Sequence, residues 1–110
     1  PEVTALDLVA YQKQSAGIDN VATVLSELAE RISAAKILAV SRDFEIAAVQ
    51  RLGFLLSHLG AASVANPLQQ EVEHRASRLT VLVPGMKSSR EAATDKRWRL
   101  VLNDIVQPNL

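Results

Sequence analysis

Residues 43–60 read DFEIAAVQRLGFLLSHLG, and the spacing of their apolar positions decides the fold. Ile46, Val49, Leu52, Leu56 and Leu59 recur every three or four residues, which aligns them along one face of a helix. Ala47, Ala48, Phe54 and Leu55 widen that face until the helix is apolar almost all round, as a central buried helix is. Asp43 is placed to cap its first turn and Gly60 to end it in a left-handed conformation. Gly53 stands out, because glycine inside a helix costs about 1 kcal/mol relative to alanine and calls for a packing reason. Close approach of a neighbouring backbone is the expected one.

The flanking sequence supplies elements to cover this helix. Pro1 and Glu2 suit a first helical turn, so a helix is expected over residues 2–11 with Leu6, Val9 and Ala10 inward. No capping residue precedes Pro1, and the chain is therefore expected to be a fragment of something longer. A polar loop over residues 12–20 carries the Gly17 turn signal and ends on Asp19 and Asn20, either of which could cap the next helix. Val21, Val24, Leu25, Leu28 and Ile32 stripe that second helix, and Glu27 and Arg31 are spaced for an ion pair. Ser33 is expected to cap a short third helix containing Ile37, Leu38 and Val40. Asn66-Pro67 predicts the start of a fifth helix over residues 67–77. The pattern then changes to β-branched runs, and strands are expected near residues 79–83 and 98–102 with a polar, mobile loop between them. The expected fold is α+β and predominantly α, about five helices around the central helix with a small C-terminal β element.

Composition limits the chemistry. A chain of 110 residues with 48% hydrophobic residues builds one domain, here residues 1–110. With no cysteine, disulfides, thiol catalysis and cysteine-ligated zinc are excluded. No apolar run reaches the roughly 18 residues a membrane helix needs, so no membrane partner is expected, and a cytoplasmic location, with which the absence of cysteine is compatible, is the default. Net charge is zero, yet residues 75–110 hold seven of the twelve Lys and Arg and only three of the twelve Asp and Glu. Lys87, Lys96, Arg97 and Arg99 are therefore candidate contacts for an acidic partner or nucleic acid. Trp98 between two arginines could stack on a base, but a lone tryptophan in a small domain is expected to anchor the core. Arg51 is expected to pair with Glu2 or Asp7 of the first helix.

Catalytic motifs are wanting. The Glu71–His74 step is one half of a di-iron pattern that needs two, and Ser57 and His58 diverge on a helix without a nucleophile elbow around them. No phosphate-binding or dinucleotide-binding glycine motif is present. Neither an enzyme, nor a cofactor, metal or small-molecule substrate, is expected.

Five blocks in order, PEVTALDL (1–8), GIDNVATVLSEL (17–28), QRLGFLL (50–56), LVPG (82–85) and RWRLVLN (97–103), resemble the C-terminal domain of AbiEi-type antitoxins. These belong to type IV toxin–antitoxin systems of bacterial abortive infection, a form of phage defence. The resemblance implies a cytoplasmic domain that neutralises a cognate nucleotidyltransferase-like toxin, direct contact being an open point. It also implies a missing N-terminal winged helix that binds operator DNA and represses the operon. It supplies no catalytic residues. The matching Glu2, Thr4, Asp7, Asn20, Gln50, Arg51, Gly53, Trp98 and Asn103 are read as candidate fold-defining residues. The alternative function is an accessory nucleic-acid-binding domain of a transcriptional regulator using the basic C-terminal third.

Overall fold

A computed structural model describes residues 1–12 and 17–106. Five helices, α1 (Glu2–Ala10), α2 (Ile18–Leu28), α3 (Ala34–Ser41), α4 (Ile46–His58) and α5 (Ala62–Arg75), precede three short strands, β1 (Thr80–Val81), β2 (Thr94–Asp95) and β3 (Leu100–Val101). The central helix is α4, which packs on α1, α2 and α5, while α3 bridges α1 and α5. Its Val49, Leu52, Leu55 and Leu56 are fully buried, and they join Leu6, Val9, Leu25, Ile37, Leu68 and Val72 in one core. That core continues through Leu82, Trp98 and Leu100, so the β element is part of the same hydrophobic body.

Helix boundaries follow hydrogen-bond supply. α4 ends at His58 and is closed by Gly60, whose φ of 83° lets the Gly60 N–H reach the Ser57 carbonyl and the Ala61 N–H reach that of Leu56. This double return satisfies carbonyls that the helix end leaves open. Ser33 caps α3, its hydroxyl accepting the Lys36 N–H, and its own N–H donates to the Glu2 carboxylate at 2.8 Å. That donation outweighs desolvation and lowers the Glu2 pKa below its ordinary value.

Several boundaries differ from expectation. Asp43 does not cap α4: residues 40–44 form a turn, and the helix starts after Glu45 with no side-chain cap. Asp19 and Asn20 lie inside the first turn of α2, which begins after Gly17 at a φ of 91°. Of the loop expected over residues 12–20, residues 13–16 lie outside the described residues. Glu27 and Arg31 make no ion pair among the described residues, because the chain tightens after Leu28 into a 3-10 turn over Ala29–Arg31. α5 begins at Ala62, five residues before Pro67, and carries the proline inside it. Proline lacks the N–H that would bond the Ser63 carbonyl, and Ser63 is exposed, so water can take that carbonyl.

The sheet has the order β1-β3-β2, with β1 parallel to β3 (Thr80 opposite Leu100) and β2 antiparallel to it (Thr94 opposite Val101). The segment expected as a mobile loop therefore contributes a strand. β3 is shorter than the predicted 98–102 run because Arg99 sits at a φ of 55°, outside extended geometry.

Arg51 does not pair with Glu2 or Asp7. The Glu2 carboxylate accepts the Ser33 N–H instead, and the guanidinium turns to β1, where Nε donates to the Val81 carbonyl at 2.9 Å and Nη2 to the Thr80 hydroxyl at 3.4 Å. Burial lowers the Arg51 pKa, opposed by the charge of Glu45. Arg51→Ala leaves the Val81 carbonyl without that donor and is expected to cost about 1–3 kcal/mol in urea denaturation. An unchanged midpoint would show that the bond contributes nothing to folding.

Candidate partner-binding site

The C-terminal third is joined to the helices by side chains that bond its backbone. Gln50, buried on α4, donates from Nε2 to the carbonyls of Trp98 and Arg99, both at 3.1 Å. Gln12 at the end of α1 donates to the Leu82 carbonyl at 3.2 Å. Asn103 closes the turn after β1, accepting from the Val83 N–H and donating to the carbonyls of Val83 (2.8 Å) and Met86 (3.0 Å). Between these joints the Trp98 ring lies flat against Gly53, where a Cβ would stand 2.1 Å from Cζ3. The packing reason for Gly53 is thus an indole, not a neighbouring backbone.

The four candidate cations do not form one cluster. Arg99 is half-buried and its Nη1 donates to the carbonyls of Val72 and Ala76 at the end of α5. Arg97 lies over the Trp98 ring at 5.0 Å and donates to Gln69 and Asn66 on α5. Lys87 and Lys96 are exposed. Trp98 is 1% exposed, which excludes it as a base-stacking platform and makes it the core anchor. Of the candidate fold-defining residues, Glu2, Gln50, Arg51, Gly53, Trp98 and Asn103 each join separate segments, whereas Thr4, Asp7 and Asn20 are exposed.

Side chains with catalytic potential are engaged elsewhere or stand apart. Glu71 holds Arg42 at 3.2 Å and Arg75 at 3.5 Å, and His74 is exposed beside it. Among the described residues no three His, Asp or Glu side chains gather as metal ligands, and no helix is long and apolar enough to cross a membrane. Ser57 Oγ is buried without a hydrogen-bond partner.

One groove is shaped to receive a ligand. It has a volume of about 590 Å³ and runs between the C-terminal half of α4 and the chain after β3. Phe54 and His58 stack on one wall with ring centres 5.8 Å apart; Leu102, Ile105 and Val106 form the other, with Lys87 at its rim. The sequence reading missed both walls: the i, i+4 spacing of Phe54 and His58 is the signal that marks the first, and nothing in the local pattern signals Ile105, which follows the last strand. What the groove offers is apolar contact beside a few polar groups, Lys87, Ser89 and Asp104 among them, a binding surface in character.

The family model for the AbiEi antitoxin C-terminal domain matches residues 1–58, from α1 to the end of α4. Three of the five sequence blocks fall inside that match; LVPG and RWRLVLN lie beyond it. No curated protein and no solved structure matches the chain.

Proposed function

The chain belongs to the AbiEi antitoxin C-terminal domain family, and from that membership we propose that it neutralises a nucleotidyltransferase-like toxin of a type IV abortive-infection system. The carrying observation is the match over α1–α4, which includes the central helix and most of the residues packed into the core. The reading is one of binding rather than catalysis. In the same proposal the domain works in the cytoplasm as part of a phage-defence system, within a longer protein whose N-terminal winged helix occupies operator DNA and represses the operon. The alternative, an accessory nucleic-acid surface, is weakened by the bonding of Arg99 and of exposed Arg97 to α5, which leaves Lys87 and Lys96 as the exposed candidates not bonded to that helix.

Co-expression with the toxin gene encoded alongside is expected to restore growth to cells that the toxin alone arrests. Arrest that persists in cells holding abundant folded protein overturns the reading.

A further inference from the structure

We propose that the groove between α4 and residues 102–106 is where two copies of this chain associate about a two-fold axis. Each copy seats its Ile105 in the trough of the other and sets its Lys87 against the other's Asp104. The proposal does not rest on the antitoxin reading.

A two-fold contact joins the same patch on both copies, so the patch must complement itself. This one carries both halves of an apolar fit. Ile105 is 72% exposed, the most exposed large apolar side chain among the described residues, and it stands on the wall opposite half-buried Phe54. Met86, 44% exposed, precedes Lys87 of the rim, and its carbonyl is held by the Asn103 side chain at 3.0 Å. The backbone that presents these side chains is fixed: the Ile105 N–H donates to the Asp104 carboxylate at 2.8 Å, and the Leu102 N–H to the Ala93 carbonyl at 2.8 Å. An apolar anchor held on ordered backbone lowers the ordering cost of binding.

The charges match in the same way. The lining holds one lysine, Lys87, and one carboxylate, Asp104, and among the described residues neither is in an ion pair, with the other or with any third group. Arg90 and Glu91, both exposed on the same segment, repeat that balance. A patch without net charge favours neither an acidic nor a basic partner, whereas a second copy brings each charge its opposite, and symmetry makes the pairing twice. Asn103 is engaged by Val83 and Met86, which leaves few groups to orient a small polar ligand. The lining exposes far less than the roughly 800 Å² per partner that stable complexes bury, so the association is weak and reversible.

Sedimentation equilibrium of the purified chain tests this, with an expected Kd between about 10 μM and about 1 mM. Ile105→Asp is expected to weaken association by about tenfold or more, as loss of a buried anchor does. Lys87→Glu and Asp104→Lys each set like charges across the axis and should weaken it by about threefold or more. An equimolar mixture of those two variants joins opposite charges at both contacts and should return to within about twofold of the wild type. Arg78→Glu, exposed outside the groove, should change it by less than about twofold. Ile105 and Lys87 are exposed, so their variants keep the wild-type melting temperature and carry the test even if Asp104→Lys, at a half-buried position, fails to fold. A wild type that stays monomeric throughout that range overturns the proposal, as does Ile105→Asp associating like the wild type. A mixture no stronger than the folded single variants overturns the two-fold pairing of Lys87 with Asp104. A monomer that retains a small apolar ligand in native mass spectrometry assigns the groove to that ligand and overturns the proposal as well.

Discussion

Gly53→Ala is expected to destabilise the domain by about 1–3 kcal/mol, although the same change in an open helix gains about 1 kcal/mol. The added methyl would lie 2.1–2.5 Å from three atoms of the Trp98 ring. That ring cannot retreat freely: it is 1% exposed, its backbone N–H is held by Asp95, and its carbonyl by Gln50. Trp98→Ala removes the largest fully buried side chain and is expected to cost about 3–5 kcal/mol. In that background Gly53→Ala should change sign and become neutral or mildly stabilising. A double-mutant cycle by urea denaturation measures the coupling, and additive single effects would show that glycine and indole do not meet.

Leu52→Ala and Leu56→Ala are each expected to cost about 2–5 kcal/mol, a large part of the roughly 5–15 kcal/mol that holds a small domain together. Both side chains are 0% exposed and enclosed by α4's neighbours, so removal of their branches leaves cavities. Phe54→Ala is the discriminating comparison. Phe54 is half-buried on the groove wall, so its larger ring should yield the smaller loss. Equal losses at Leu56 and Phe54 would contradict the packing assigned to α4.

These expectations show where the chain was readable. The period of residues 46–59 identified the central helix because burial there is set by a repeating side-chain pattern. Ser33 and Gly60 were readable as caps because each does one local job, with a hydroxyl or a left-handed backbone. Gly53 and Trp98 were each recognisable as packing residues, but not as each other's partners, since a contact across 45 positions leaves no periodic trace. Pro67 misplaced the start of α5: the true start after Ala61 has no side-chain cap, so the stronger Asn-Pro signal stood in for it. Arg51 was assigned an acid on charge alone. Its donors instead meet a carbonyl and a hydroxyl on β1, which the sequence does not mark as acceptors. β2 escaped notice because two residues of strand carry too short an alternation to register. The groove was not read from the sequence: Phe54 was assigned to the apolar face of the central helix, and nothing local marks Ile105 as its opposite wall.

The joints between helices and β element have a consequence for tolerance to change. Gln12, Gln50 and Arg51 grip carbonyls of residues 81, 82, 98 and 99, and a carbonyl is the same whichever side chain it accompanies. Apart from buried Leu82, Trp98 and Leu100, and from Thr80, Asp95, Arg99 and Asn103, whose side chains bond within the fold, the held segment can therefore vary in composition while staying in place. A helical body of fixed sequence could carry differently lettered surfaces at this end, and a new partner could be accommodated by rewriting residues 85–93 and 104–105 without redesigning the fold that presents them.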